Sequence, residues 1–325
     1  MSQQNISEAA TIPFVMAAED HSTSLHSWLD SHREQIAAQL LHHGAILFHG
    51  FNVRALAEFR RTVTTLTPEL VEQYETPTPR TEVNRQIYTS TTYPEEYPIL
   101  MHNEMSHTHM WPGKIWFYCH VPATTGGETP IADSRRVYSL IDPAIRERFV
   151  DKKVMYIRNY NPTGDLLSWQ QVFGVETREE AEAYFQTAGI DYEWKADGGL
   201  RTRQTRDAAI RHPVSGELVW FNQAHIFHLS NLPGDERTLL EKQYAGREED
   251  LPYYTCYGDG SPIAAEELMH IRAAYDQAEV ARPWHKGDVM LLDNVLCAHG
   301  RKPFSGARNI YVAMAEPQHS LAARQ

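Results

Sequence analysis

A mainly β fold with helical decoration is the class this sequence predicts, and three observations carry that expectation. Short apolar runs bounded by turn residues recur along the chain. In one of them, Lys114–Val121, Ile115, Phe117 and Cys119 alternate with Trp116, Tyr118 and His120, so both faces are apolar and the strand belongs in the middle of a sheet. The strands are separated by long stretches of helical character rather than by tight turns alone. Two packed sheets forming a double-stranded β-helix, or jelly roll, with a helical insertion at about 160–285, account for this pattern. The mouth of such a barrel can hold a metal and a small ligand.

Taken in order, Ser24–His42 reads as a helix through Leu25, Trp28, Leu29, Ile36, Leu40 and Leu41. Gly44–Phe51 reads as a strand, and Val53–Leu66 returns to a helical period. After Lys114–Val121, the segment Gly126–Asp133 reads as a turn entering a short strand, with Ser134 capping a helix that reaches about Val150. Strands are expected at Lys153–Tyr160, Glu217–Asn222, Asp288–Asp293 and Asn309–Met314. Helices are expected at Thr177–Ala188, Asp235–Ala245 and Ala264–Val280, and His212–Glu217 has the residues of a hairpin turn.

The chain has 325 residues, 42% of them hydrophobic, enough for a large core. No linker or fixed-period repeat divides it, so residues 1–325 are read as one domain. A formal net charge of −12 disfavours a nucleic-acid partner, which needs a clustered positive surface. Met1–Glu19 has neither a basic start nor a long apolar run, so neither a signal peptide nor a membrane span is expected, and a cytoplasmic location follows. Cys119, Cys256 and Cys297 are odd in number and widely spaced, which fits buried reduced thiols.

The chemistry concentrates in His102-Asn103-Glu104 and His299. Two imidazoles and a carboxylate can fill one face of an iron(II) ion and leave open positions for co-substrate and oxidant. Alternation along a strand would point His102 and Glu104 the same way and turn Asn103 aside. The triplet alone is weak evidence, because 17 His and 42 acidic residues make a chance His-x-Glu common. His225 and His228 lie three apart without a nearby carboxylate or cysteine, so a second metal site there is not expected.

Four stretches in fixed order carry a family resemblance: Gly44–Phe51, Met101–Glu104, Pro122–Thr129, and Asp293-Asn294 through Ala298-His299-Gly300 to Arg308. Spanning about Leu41 to Ala315, the chain resembles the taurine dioxygenase and clavaminate synthase-like iron(II)/2-oxoglutarate oxygenases. The resemblance implies that His102, Glu104 and His299 bind the metal, and that Thr129 and Arg308 hold the distal carboxylate of 2-oxoglutarate. Arg308 follows His299 more closely than in several such enzymes, and Arg301 is a competitor expected on a surface turn. Related halogenases replace the carboxylate with a small residue; Glu104 leaves no such vacancy.

The implied reaction is oxidative decarboxylation of 2-oxoglutarate by O2 coupled to oxidation of a substrate C–H bond. The Met-His-Asn-Glu, Gly-Gly-Glu-Thr-Pro-Ile-Ala-Asp and Trp-Phe-Asn-Gln-Ala-His stretches look most like the syringomycin-type amino-acid hydroxylases of nonribosomal peptide pathways. That implies β-hydroxylation of an amino acid, free or tethered to a carrier protein. Desaturation or cyclisation by the same chemistry, a zinc hydrolase, and a metal-binding sensor are the alternatives. Thr89, Ser90, Arg203, Asn222 and His225 are the candidate substrate contacts.

Overall fold

The strand Met110–Val121 is the spine of the molecule, pairing antiparallel with Val289–Asp293 on one side and Asn309–His319 on the other. The computed structural model describes residues 12–71, 75, 82–84, 86–89, 93–161 and 167–320. The full sheet has the order Phe14–Ala17, Ala45–His49, Val289–Asp293, Met110–Val121, Asn309–His319, Ile87–Thr89, Glu82–Asn84. Both its faces are covered, as the alternation in the central strand demands. Ile46, Phe48, Trp116 and Tyr118 meet Leu25, Leu29, Leu40, Phe59 and Val63 of the N-terminal helices. On the opposite face Leu47, Ile115, Phe117, Ile310 and Val312 meet Ile131 and Cys297 of a smaller sheet. That sheet has the order Ile99–His102, Cys297–Arg301, Ile131–Asp133. Each fully buried aromatic or aliphatic side chain in this two-sheet core contributes on the order of 1.5–3 kcal/mol.

Two expected helices are broken. Ser24–His42 becomes Leu25–Ser31 and Arg33–His43, with His32 non-helical between them. Polar side chains at the break satisfy the last carbonyls of the first helix: His32 Nδ1 and Ser31 Oγ both donate to Trp28 O, at 2.8 and 3.0 Å. The second helix ends at Gly44, whose φ of 74° is the left-handed cap geometry that glycine adopts without strain. Ser134–Val150 becomes Ser134–Leu140 and Pro143–Lys152, because Pro143 disfavours helical geometry at Asp142 and offers no N–H. The first cap is Asp133, whose Oδ1 accepts from Arg135 N at 2.8 Å, and not Ser134, which is engaged by Asn103. The Val53–Leu66 helix begins only at Leu56, since the Glu58 carboxylate accepts from Arg54 N and Ala55 N ahead of it.

The polar stretch Leu200–Arg206 forms a strand that hydrophobic pattern did not reveal. It lies in a sheet of order Asp191–Trp194, Leu200–Arg206, Val154–Tyr160, Tyr253–Tyr257. Cys119, Cys256 and Cys297 are buried and unbridged. Among the described residues no helix is long and apolar enough to cross a membrane.

Candidate active site

Strand register brings the two histidines together. Ile99–His102 and Cys297–Arg301 run antiparallel with His102 directly opposite His299, and their ring centroids lie 4.6 Å apart. The chain leaves the strand after His102 and turns, with Met105 at φ 58°. Glu104, in that turn, places Oε2 3.8 Å from His102 Nε2 and 3.6 Å from His299 Nε2. All three donor atoms lie within 4.8 Å of one another. Bonds of about 2.1 Å to a single ion would draw such donors to about 3 Å apart, a small contraction.

The turn is locked from behind. Asn103 points away from the histidines and is buried; its Nδ2 donates to Asn294 O at 2.6 Å and Ser134 Oγ at 3.0 Å. The Asn294 side chain grips the Glu104 backbone from the other side: Oδ1 accepts from Glu104 N at 2.7 Å, and Nδ2 donates to Glu104 O at 2.9 Å and Pro112 O at 2.8 Å. Asp293 holds the turn that carries Asn294 by accepting from Val295 N and Leu296 N. Burial alone would raise the Asp293 carboxyl, but the His212 and Lys114 contacts outweigh it and hold it at about 2. His102 Nδ1 donates to Leu100 O at 2.7 Å, which fixes the tautomer and turns the Nε2 lone pair toward Glu104 and His299.

These residues open into a cleft of about 430 Å³ between the two sheets, lined also by Ile99, Phe117, Thr129, Arg301 and Arg308. Arg308 Nε donates to Gly127 O at 2.8 Å, and Arg308 Nη2 reaches Thr129 Oγ1 at 3.4 Å. Trp284 Nε1 donates to the same hydroxyl at 3.1 Å. Gly127 has φ 74°, and a Cβ there would stand 3.0 Å from the Arg308 stem, so this position favours glycine twice over. Burial, and then the neighbouring Arg301, push the Arg308 guanidinium down to about 10. It is still charged at neutral pH, and an anion beside it would relieve both penalties.

Arg301 does not lie on a surface turn as expected. The ligand strand continues through it, and it is buried, donating to Tyr93 O at 2.9 Å, Pro94 O at 2.6 Å and Tyr97 O at 2.7 Å. It therefore fastens the 93–97 segment to the rim.

The candidate substrate contacts fare differently. Thr89 pairs with Tyr311 in the large sheet and does not line the cleft. Ser90 lies outside the described residues. Arg203 faces outward, held by Glu249 at 2.9 Å and Glu193 at 3.8 Å, because Leu200, Thr202, Gln204 and Arg206 take the inward positions of its strand. Asn222 is a structural cap, donating to Ala208 O at 2.8 Å and accepting from Ala224 N at 3.0 Å. His225 lies behind the ligand strand, donating from Nε2 to Met101 O at 2.9 Å, with its ring against Tyr275. Sequence reasoning gave Asn294 no role, although its place in the Asp293-Asn294 pair ahead of His299 was visible. A second cluster, His49, His285 and Asp288, is already closed internally, since Asp288 bonds His49 Nδ1 at 2.8 Å and His285 N at 3.0 Å.

The model of the taurine catabolism dioxygenase TauD, TfdA family matches residues 8–314. The chain is 43% identical over 280 residues to the dapdiamide synthesis protein DdaC of Enterobacter agglomerans, covering 86% of this chain and 84% of that protein. It is 29% identical over 290 residues to a clavaminate synthase-like protein of Arabidopsis thaliana, covering 85% and 83%. PvcB of Pseudomonas aeruginosa, an Fe, alpha-ketoglutarate dependent oxygenase from an isonitrile synthetic pathway, superposes with a TM-score of 0.53 at 14% identity, over 93% of this chain and 84% of that one. AAD-2, solved with Mn(II) and N-oxalylglycine, superposes with a TM-score of 0.52 at 13% identity over 95% of both chains. The expected jelly-roll fold is thereby borne out.

Two outcomes follow from this geometry. Asn294→Ala frees the turn under Glu104, and its affinity for Mn(II), measured by calorimetric titration, is expected to fall roughly 10–100-fold. His225 and His228 are held neutral, burial pushing their rings down to about 3 and about 4. The unfolded chain takes up protons there from about pH 6.5 downward, so this stability is full above that value and is lost as pH falls toward the folded values. Urea unfolding across that window should show stability dropping with acid, and His225→Gln should remove about one proton from the slope.

Proposed function

This chain belongs to the taurine catabolism dioxygenase TauD, TfdA family, and we propose that within it the protein hydroxylates an unactivated C–H bond of an amino acid. The substrate is free or tethered to an acyl or peptidyl carrier protein, the β-carbon is the position attacked, and the setting is secondary-metabolite biosynthesis. Fe(II) is the metal, and 2-oxoglutarate and O2 are the co-substrates. The observation that carries this reading is the convergence of His102, Glu104 and His299 in the same cleft as the Arg308–Thr129 pair. The relative's part in dapdiamide synthesis supports a biosynthetic setting. Three buried, unbridged thiols support a reducing, cytoplasmic one.

The donor set fits the ion: two neutral imidazole nitrogens and one carboxylate oxygen suit Fe(II) and leave one side of it open. Bound iron with 2-oxoglutarate and O2 supplies the oxidising power, giving succinate and CO2 and returning oxygen to the substrate. The protein's share is placement. Arg308 and Thr129 take the distal carboxylate of 2-oxoglutarate at the far end of the cleft, where a planar guanidinium can meet both oxygens. Phe117, Ile310 and Val312 make the wall between the ligands and that cation apolar and keep water from it. Glu104 would fill the position that a halide would need on a bound iron, so halogenation is disfavoured. Desaturation or cyclisation is the alternative outcome of the same chemistry.

Anaerobic addition of Fe(II) and 2-oxoglutarate should produce a weak visible charge-transfer band, and oxygen with a suitable amino acid should then yield succinate and a product heavier by one oxygen. A protein that gives no band and no succinate, yet hydrolyses a substrate with zinc, is a zinc hydrolase instead. Glu104→Ala should abolish turnover, and undiminished turnover removes Glu104 from the ligand set. Arg308→Gln should raise the KM for 2-oxoglutarate about a hundredfold, the scale of one charge-assisted pair, in a titration of succinate formation.

A further inference from the structure

A buried sheet face is ordinarily apolar, and the inward face of the four-stranded sheet is not. Tyr156 and Arg158 alternate along its central strand, and Thr202 and Tyr253 are the cross-strand partners of Arg158, with Thr255 beside Tyr156. Arg158, Thr202 and Thr255 are all buried. Buried polar groups nearly always have hydrogen-bond partners, yet here a set of neighbours lacks them: Arg158 Nη1, the Thr255 hydroxyl and both ring nitrogens of His107. Each such orphan costs free energy unless a ligand or solvent completes it.

The arginine is held for use. Its Nη2 donates to Tyr253 OH at 3.0 Å, and the guanidinium packs 4.9 and 5.1 Å from the ring centres of Tyr253 and Tyr160. That fixes the fork while leaving Nη1 unengaged. Arg158 and His107 line one small pocket together with Tyr156, Phe227, Tyr253 and Thr255.

The pocket adjoins the metal turn. His107 is three residues beyond Glu104, and its ring lies 5.0 Å from Phe227 and 5.9 Å from Tyr156. Gln223 ties the two regions: its backbone N–H donates to Tyr156 OH and its side-chain amide to Asn103 O, each at 2.8 Å. Charge is also unbalanced on this face. The buried carboxylate Glu75 already accepts from Tyr184 OH and Gln204 Nε2, each at 2.9 Å, and lies 3.5 Å from His109 Nδ1, whereas two buried guanidiniums, Arg158 and Arg206, lie within range of its charge. One further negative charge would neutralise the set.

Resting on the reading that the protein oxidises an amino acid or its derivative, we propose that this pocket receives a free carboxylate of the substrate on Arg158 Nη1 and a His107 ring N–H. Phe227 and Tyr253, stacked with ring centres 5.6 Å apart, form one wall beside the substrate chain, and the carbon to be oxidised extends from the pocket toward His102, Glu104 and His299. The substrate class is thereby narrowed to amino-acid derivatives with at least one unesterified carboxylate. A substrate joined to a carrier through its α-carboxyl must have a second one. The cationic contact expected of Arg203 is supplied instead by the adjacent strand, while Arg201 and Arg203 face outward.

The test measures succinate formed from labelled 2-oxoglutarate by the Fe(II)-loaded full-length chain. The probes are the common L-amino acids and their N-acetyl forms, each paired with the carboxamide of the same skeleton. The expected result is that the compound giving fastest turnover carries a carboxylate, and that its carboxamide has a KM about a hundredfold higher. Arg158→Gln should raise the carboxylate's KM by a similar factor, change kcat far less, and erase the preference over the carboxamide; Arg158→Lys should restore part of it. If thermal melting shows both variants unfolded, the carboxylate–carboxamide comparison in the unaltered protein decides. Equal use of the two forms, an unchanged KM in folded Arg158→Gln, or no response to any carboxylate while 2-oxoglutarate is still consumed would each overturn the assignment. No consumption of 2-oxoglutarate under any condition overturns the oxygenase reading, and the pocket assignment with it.

Discussion

The site depends on one cross-strand pairing, His102 opposite His299, and on the amide of Asn294 that holds the turn beyond it. Register in a sheet admits no half-measures: a slip of one residue would send one imidazole to the opposite face. The pairing is anchored by Cys297–Arg301, which is buried along its whole length. Gly300 is part of the same constraint, since a Cβ there would stand 2.6 Å from Ile99 O in the facing strand. Glu104 has no strand to position it, so its backbone is fixed by the side chain of Asn294, which itself hangs from the Asp293 turn. The Lys114–Asp293–His212 contacts, remote from the cleft in sequence and chemistry, thus bear on where the carboxylate lies.

The interior arginines show how burial separates support from recognition. A buried guanidinium must be matched by acceptors or it is too costly to keep. Arg301 is matched by three backbone carbonyls and works as a clasp on the rim. Arg308 meets the Gly127 carbonyl and the Thr129 hydroxyl at the end of the cleft, where burial and the neighbouring Arg301 lower its affinity for the proton. Arg158 has a single phenol and two aromatic walls. The contrast between Arg301 and Arg158 comes from hydrogen-bond geometry that sequence spacing does not contain.

That difference explains what was legible in the sequence. The central strand could be read because alternation is a local property: Ile115 to His120 shows both faces, whereas Glu104 lies in a turn past the strand end and not at the strand position that alternation gave it. Short motifs in order located Thr129 and Arg308. Arg301 was misplaced because the residues after a metal ligand look like a turn until the partner strand is known. Arg203 was read as a substrate contact because an arginine-rich stretch stands out in a sequence, while a lone arginine in an apolar strand, such as Arg158, does not. Ion pairs to Glu249 and Glu193, from distant parts of the chain, make the conspicuous cations the unremarkable ones.

The identity of the carboxylate follows from the same geometry. Because the strand stops at His102, residue 104 begins from a turn rather than from the next inward strand position. Glu104 Oε2 nonetheless stands nearly equidistant from the two Nε2 atoms, at 3.8 and 3.6 Å. An aspartate would be shorter by one methylene, about 1.5 Å of reach. The Asn294 clamp prevents the backbone from advancing to make up that length, and releasing the clamp would sacrifice three buried hydrogen bonds. In this chain the longer side chain and the asparagine behind it are therefore a matched pair: the clamp sets how far back the turn sits, and that distance sets which carboxylate could reach an ion held between the two histidines.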